Sequence, residues 1–139
     1  MRPEDVIRQV LVDQMVNRFG YPKELLGIEK ELSSFPHLKG IKVPKRRFDL
    51  VCFSTQISQK YPLYPLLLVE CKAIPLSINA LDQVLGYNFY VDASFVAIAN
   101  GQGLLIADQN GEIVRDGLIP YQELAGLALA AREKPVSSI

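Results

Sequence analysis

The feature that most constrains this chain is a near-continuous apolar run from Pro65 to Cys71, broken only by Glu70. A run without polar alternation is typical of a strand that other elements cover on both faces. The sequence therefore predicts a buried strand here, with further elements packed on both of its sides.

The other segments predict a mixed α/β order. Helices are expected over Pro3 to Phe19, Ile78 to about Val91 (with Ser77 as N-cap) and Pro120 to Arg132. Strands are expected over Gly27 to Leu32, Arg47 to Phe53, Pro65 to Cys71, Phe95 to Ala99, Leu104 to Ala107 and Glu112 to Arg115. The second and third strands should form a long-looped antiparallel hairpin, and Asn110-Gly111 predicts another hairpin. Glu133 to Ile139 is expected to be a tail.

Composition narrows the class of protein. With 139 residues, 49% of them hydrophobic, the chain suits one domain over residues 1–139 with a real core, and intrinsic disorder is excluded. Fifteen basic and fifteen acidic residues give zero net charge, so global charge does not indicate nucleic-acid binding, although a local patch remains open. No apolar run approaches the ~20 residues that span a bilayer. We therefore expect a soluble cytoplasmic protein without membrane contact.

Polar side chains stand where a buried strand should have none. Asp49 lies inside the apolar segment Phe48–Val51, and Glu70 and Lys72 lie near the end of the central apolar run. Glu70 and Lys72 are two apart, so on a strand they share a face. If the hairpin pairs Asp49 roughly opposite Glu70, the two carboxylates lie about 5 Å apart. A buried carboxylate needs a partner, a hydrogen bond or a metal.

This set of side chains predicts metal-assisted chemistry. A divalent cation would remove the repulsion between Asp49 and Glu70, and oxygen ligands favour Mg²⁺ or Mn²⁺ over zinc. Lys72 would lie near enough to orient or deprotonate a water, as phosphodiester hydrolysis requires. The alternative is an ordinary Glu70–Lys72 ion pair at a strand end, with Asp49 capping a loop.

One dense basic stretch leads into this region. Its members are Lys39, Lys42, Lys45, Arg46 and Arg47. They could hold a phosphate backbone beside the metal, or they could form a solvated loop. Cys52 and Cys71 have no metal-ligand or redox spacing and are expected to be core thiols on the face opposite the carboxylates, too far apart for a disulfide.

Five segments carry a resemblance to known families. They are Lys45-Arg46-Arg47-Phe48-Asp49-Leu50-Val51, Leu66-Leu67-Leu68-Val69-Glu70-Cys71-Lys72-Ala73, Gln83-x-x-x-Tyr87, Pro3-Glu4-Asp5-x-x-Arg8-Gln9 and Gly20-Tyr21-Pro22-Lys23-Glu24-Leu25. The first two resemble the PD-(D/E)xK nuclease core, with Phe48 in place of the proline. The third resembles the QxxxY motif of the RecB-like branch. The last two resemble the N-terminal domain of type I restriction enzyme R subunits.

The resemblance implies a restriction-endonuclease-like αβββαβ core, a mixed sheet flanked by helices, with an extra β-hairpin and a C-terminal helix. It implies that Asp49 and Glu70 bind the metal with help from the Cys71 backbone carbonyl. Lys72 would be the catalytic lysine.

The resemblance also implies supporting residues on two helices. Gln83 and Tyr87, at i and i+4, would support the site from the second helix. The acid that such nucleases carry on their first helix would most simply be Glu4, with Asp5 as the competitor.

The resulting hypothesis is a metal-dependent DNA endonuclease or nuclease module. R subunits continue into an ATP-driven motor, and no Walker loop is present here, so this chain alone should not translocate DNA. The partners implied are DNA and motor or specificity subunits, and double-strand cleavage would favour a homodimer. The competing hypotheses are a nuclease-fold module that binds nucleic acid or a protein without cutting, and a small-molecule hydrolase that uses the same carboxylates.

Overall fold

The secondary structure follows the predicted order closely. The computed structural model describes residues 2–133, so the predicted tail beyond Glu133 lies outside the described residues. The helices are α1 (Pro3–Arg18), α2 (Ile78–Val91) and α3 (Tyr121–Glu133). The strands are β1 (Leu26–Glu31), β2 (Arg47–Ser54), β3 (Tyr64–Cys71), β4 (Phe95–Ala99), β5 (Leu104–Asp108) and β6 (Ile113–Asp116). Short 3-10 turns lie at Lys23–Leu25, Leu32–Ser34 and Pro36–Leu38. β1 ends at Glu31, so Leu32, which was predicted to end this strand, begins the second turn instead.

All six strands form one sheet in sequence order, from β1 at one edge to β6 at the other. The pair β3–β4 is parallel and is connected through α2, whereas every other neighbouring pair is antiparallel. The predicted mixed sheet, with an antiparallel β2–β3 hairpin inside it, is confirmed. None of the helices within residues 2–133 has the length and apolar character needed to cross a bilayer.

Helices cover both faces of the sheet. Leu11 and Met15 of α1 pack with Leu124 of α3 against one face. Leu81 and Val84 of α2 pack against the other face, together with the 3-10 turns at Leu32–Ser34 and Pro36–Leu38. Leu66, Leu67, Val69 and Cys71 of β3 belong to the first core and Leu68 to the second, and all five are buried, because elements cover both faces of the strand. The central apolar run is therefore the covered strand that the sequence predicted.

Local side-chain chemistry sets the ends of α2. Ser77 is the N-cap, and its hydroxyl accepts a hydrogen bond from the Ala80 N–H at 3.1 Å. At the other end the buried Asn88 amide bonds both the N–H and the carbonyl of Ala93, at 2.9 and 3.0 Å. These two bonds fix the turn from α2 into β4, because they satisfy backbone groups that leave the helix.

Both cysteines are buried, free thiols in the core between the sheet and α1 and α3. Burial raises the pKa of Cys52 and of Cys71 to about 12, so neither is a thiolate near neutral pH. Cys52 pairs with Leu67, four residues before Cys71 along β3, and the predicted separation of the thiols is confirmed.

Tyr21 ties the end of α1 to the start of α3. Its ring is 2% exposed, its hydroxyl donates to the Ile119 carbonyl at 2.7 Å, and its ring meets Tyr121 edge-on at 5.6 Å. We expect Tyr21→Phe to lower the free energy of unfolding by about 1–2 kcal/mol, because it leaves a buried carbonyl unpaired. Urea denaturation measures the change. The control is Tyr90→Phe on α2, whose hydroxyl makes no hydrogen bond to the described residues; equal losses in both variants would contradict this role for Tyr21.

Candidate active site

The candidate site lies where β2 and β3 part. The backbone ladder between the two strands ends at the pair Leu50–Val69. The next residue of each strand beyond this pair is Asp49 in β2 and Glu70 in β3, and these two lie side by side. There the side chains replace the backbone ladder: the Asp49 N–H donates to Glu70 Oε1 at 3.2 Å, and the Cys71 N–H donates to Asp49 Oδ2 at 2.8 Å. The predicted pairing of Asp49 with Glu70 is confirmed.

The backbone is irregular at the same point. Glu29 in β1 lies opposite Asp49, between the pairs Ile28–Leu50 and Lys30–Phe48, and has a left-handed φ of 50°. A non-glycine residue in this conformation costs about 1–2 kcal/mol. Phe48 and Val51 both pack on the α2 side although they are three apart, so the normal alternation of β2 is interrupted at Asp49. Strained backbone of this kind is often found at functional sites.

Burial and like charge act together on Glu70. Glu70 is buried, with 5% of its surface exposed, whereas Asp49 is partly exposed. Burial raises the pKa of Glu70 to about 7, the neighbouring Asp49 charge adds to the rise, and Arg46 opposes it. The two carboxylates therefore lie together in a partly buried position, and Arg46 is the one cation among the described residues that forms an ion pair with Glu70.

A polar cavity of about 720 Å³ opens at this position. Five basic and five acidic side chains line it, together with Cys71. They are Arg2, Lys45, Arg46, Arg47 and Lys72, and Glu4, Glu29, Glu31, Asp49 and Glu70. The cavity thus contains Asp49, Glu70, Lys72 and Glu4 of the predicted site. A second, apolar cavity of about 480 Å³ lies between α1 and the β4–β5 turn and contains none of them.

The structure distinguishes the two candidate acids on α1. Asp5 accepts hydrogen bonds from the Arg2 backbone N–H at 3.0 Å and from the Arg2 and Arg8 guanidinium groups at 3.3 and 3.4 Å. The bond from the Arg2 N–H is the largest cause of the lowered pKa of Asp5. Glu4 instead lines the cavity. Among residues 2–133, however, no three His, Cys, Asp or Glu side chains are close enough together to hold one ion between them.

Lys72 lies just beyond the strand on which the sequence placed it. β3 ends at Cys71, and the Lys72 N–H donates to the Ala99 carbonyl at 2.7 Å, which extends the contact with β4 by one residue. The side chain lines the cavity and makes no ion pair with a described residue. The alternative of an ordinary Glu70–Lys72 ion pair is wrong, because Glu70 pairs with Arg46 instead, at 3.2 Å.

The two supporting residues on α2 occupy different environments. Gln83 is exposed, does not line the cavity and makes no hydrogen bond within the described part of the chain, so its role stays a prediction. The ring of Tyr87 packs edge-on against Phe48 at 5.9 Å and lies 4.7 Å from the guanidinium carbon of Arg46. Sequence reasoning missed the contact of Arg46 with Glu70, since nothing distinguishes Arg46 from its basic neighbours in the sequence.

The comparison with protein families supports the resemblance found in the sequence. The family described as type I restriction enzyme R protein N terminus matches residues 3–116. The chain belongs to this family. Searches of curated proteins and of solved structures gave no match. The segment matched to the R protein N terminus runs from the start of α1 to the end of β6 and includes the whole candidate site. Membership relates the chain to restriction systems, and the mixed sheet flanked by helices is consistent with a restriction-endonuclease-like core.

The pKa of Glu70 makes stability depend on pH. Its value in the folded protein is raised from 4.5 to about 7, so the native state binds the proton more tightly than the unfolded state does. Between about pH 4.5 and 7 this group alone lowers the free energy of unfolding as pH rises, by up to about 1.4 kcal/mol per pH unit. We expect wild type to lose stability relative to Glu70→Gln over this range. Urea denaturation from pH 5 to 8, without divalent cations, measures it; a constant difference would contradict the assignment.

Proposed function

We propose that this domain hydrolyses DNA phosphodiester bonds with the help of a divalent cation. The observation that carries the proposal is the pair of carboxylates, Asp49 and Glu70, fixed side by side by hydrogen bonds to each other's strand at the wall of a polar cavity. Membership in the R protein N-terminal family supports a nuclease-related role in a restriction system.

The donor set fits Mg²⁺ or Mn²⁺. Asp49 and Glu70 would hold the ion with carboxylate oxygens, the Cys71 carbonyl is a third candidate, and Glu4 lines the same cavity. Burial, and after it the neighbouring Asp49 charge, raises the pKa of Glu70, and a cation bound to both carboxylates would offset both effects. When bound, the ion would neutralise negative charge and make a nearby water more acidic.

The other residues of the cavity have distinct proposed tasks. The ammonium group of Lys72 would orient the attacking water and stabilise the charge that develops on the phosphate. Glu4 would complete the negative wall from α1, while Asp5 holds the first turn of that helix. Tyr87 would support the site from α2 through Arg46.

Exposed basic residues next to the cavity support DNA as the substrate. Lys39, Lys42, Lys45 and Arg47 are all exposed, and the last two line the cavity itself. Their ammonium and guanidinium groups would contact backbone phosphates, which position DNA without reading its sequence. Family membership supports association with motor or specificity subunits of a restriction system in the cytoplasm. Cleavage of both strands by so small a domain would favour a homodimer.

A second candidate function is a module that binds nucleic acid or a partner protein without cutting. Two observations favour it: Glu70 is already paired with Arg46, and no cluster of three metal-binding side chains forms within residues 2–133. The intact set Asp49, Glu70 and Lys72 around one cavity favours hydrolysis.

We expect Asp49→Asn to abolish both Mn²⁺ binding and plasmid nicking, because it removes a charged ligand while keeping the side-chain shape. Calorimetric titration of Mn²⁺ and a nicking assay in Mg²⁺ or Mn²⁺ measure the two effects. Asp82→Asn, on the exposed side of α2, is the control for loss of one negative charge and should leave both unchanged.

The outcomes separate the candidates. Binding of Mn²⁺ by wild type without nicking would support the non-cleaving module, and hydrolysis of model phosphodiesters but not of DNA would support a small-molecule hydrolase. Absence of Mn²⁺ binding, with DNA present as well, would overturn the proposed function.

We expect the double variant Lys42→Gln/Lys45→Gln to bind DNA more weakly and with a smaller dependence on salt. Each lost phosphate contact should reduce the slope of log affinity against log salt by about 1. Fluorescence anisotropy with a DNA duplex at several salt concentrations measures the slope. Lys23→Gln/Lys60→Gln removes the same charge elsewhere, and an equal effect in that variant would show that the basic stretch has no special role.

A further inference from the structure

Arg46 is held at the cavity by more contacts than any other basic residue there. Its carbonyl accepts a hydrogen bond from the Leu32 N–H at 2.8 Å, which anchors the backbone just before β2. Its guanidinium carbon lies 4.7 Å from the Tyr87 ring centre and 5.3 Å from that of Phe48. A planar guanidinium against two aromatic rings is attracted by both and loses conformational freedom.

The guanidinium group of Arg46 uses only one of its hydrogen-bond donors to bind Glu70. Nη2 donates to Glu70 Oε2 at 3.2 Å, and this is its only ion pair with the described residues. Nε is buried and makes no hydrogen bond to them. Arginine has five N–H donors in a fixed fork, so most donors of Arg46 are not used by Glu70. The Arg46 side chain is 33% exposed and lines the cavity, whereas the Glu70 side chain is 7% exposed.

We propose that Arg46 serves the site in two states: it holds Glu70 in place in the metal-free protein, and it contacts the phosphodiester once a divalent cation has bound Glu70. The inference rests on the proposed function, because it takes Asp49 and Glu70 as the metal ligands. It deepens that function by assigning a positioning and phosphate-binding residue that the PD-(D/E)xK and QxxxY motifs do not contain.

The argument for exchange is electrostatic. Asp49 and Glu70 lie side by side, and Arg46 supplies the positive charge that Glu70 lacks without a metal. A divalent cation on Glu70 and a guanidinium on the same carboxylate repel each other, so binding of the ion weakens the Arg46–Glu70 pair. A phosphate oxygen then becomes the better partner for the freed fork of donors. The rings of Phe48 and Tyr87 keep the group over the cavity during this exchange.

The first test uses Arg46→Gln, with Lys45→Gln as its matched control. Lys45 is the adjacent residue, carries the same charge and lines the cavity, but makes no ion pair with a described residue. We expect Arg46→Gln to bind Mn²⁺ at least about 3-fold more tightly than wild type, because a competing cation is gone. Its kcat for plasmid nicking should fall by about 10- to 100-fold, because a donor to the phosphate is lost. Lys45→Gln should raise KM for DNA, and it should change kcat and Mn²⁺ affinity less than Arg46→Gln does, because Lys45 makes no ion pair with Glu70.

An increase in Mn²⁺ affinity together with a decrease in kcat in Arg46→Gln distinguishes this role from a structural one. A merely structural Arg46 would, when replaced, weaken Mn²⁺ binding and nicking together. Arg46→Lys keeps the charge but not the planar fork, so we expect intermediate values for both quantities. It also guards against poor folding of the glutamine variant, and thermal unfolding of each variant shows that it is folded.

The second test concerns the ring of Tyr87. Its hydroxyl makes no hydrogen bond to a described residue, so the ring itself is the part that contacts Arg46. We expect Tyr87→Leu to lower kcat several-fold and Tyr87→Phe to lower it less, while Mn²⁺ affinity stays within about 2-fold in both variants. An equal or larger loss of activity in Tyr87→Phe would mean that the hydroxyl acts directly, and it would overturn the part assigned to the ring.

The outcomes keep this inference separate from the proposed function. If wild type binds no Mn²⁺ and does not nick DNA, the proposed function fails and this inference fails with it. If wild type does both, and Arg46→Gln matches it in Mn²⁺ affinity or in kcat, only the role of Arg46 is overturned. Tighter Mn²⁺ binding together with slower nicking is the result that supports it.

Discussion

The structure of the site depends on one interaction, the exchange of hydrogen bonds between two carboxylates and two backbone N–H groups. Where β2 and β3 separate, the strands lose their ladder, and buried N–H groups without partners would destabilise the fold. Asp49 accepts from the Cys71 N–H, and Glu70 accepts from the Asp49 N–H. Each carboxylate is therefore required by the opposite strand. This requirement places two negative charges side by side in a partly buried position, and the rest of the cavity compensates for them.

The charged side chains that line the cavity partly offset the negative charge of Asp49 and Glu70. Five basic and five acidic side chains line it, so the wall is close to neutral when all are ionised. Burial and, after it, the Asp49 charge raise the pKa of Glu70, so the carboxylate pair lies where its negative charge is poorly stabilised. A divalent cation would correct the local deficit and leave the wall as a whole positive, which suits a phosphodiester. Zero net charge of the chain is therefore compatible with a polyanionic substrate, because a bound divalent cation would turn this nearly neutral wall positive.

The sequence allowed the elements, their order and the pairing of Asp49 with Glu70 to be predicted, because these follow from patterns local to each segment. A strand that is apolar along almost its whole length must be covered on both faces. A carboxylate inside such a strand needs a polar partner, and the neighbouring strand supplies it. Four features were not predictable in this way. The interruption of β2 alternation at Asp49 and the left-handed Glu29 result from the contact between three strands. The end of β3 before Lys72 depends on where β4 stops offering partners. The selection of Arg46 among several cations depends on the ring of Tyr87 in α2, which is distant in sequence, as well as on the ring of nearby Phe48.

The distribution of the site over both layers bears on how the domain would reach its substrate. Glu4 comes from the α1 side, Tyr87 from the α2 side, and the carboxylates from the sheet between them, so both layers must be folded for the site to exist. The basic residues beside it are few, and contacts to phosphates alone support non-specific affinities on the order of 10⁻⁴ to 10⁻⁶ M at physiological salt. A nuclease with this affinity would cut little DNA by free diffusion. Attachment to a DNA-bound partner raises its effective concentration to about the millimolar range, where such a site is filled. Weak intrinsic binding would then be an advantage, because cleavage would occur only where the partner holds the domain against DNA.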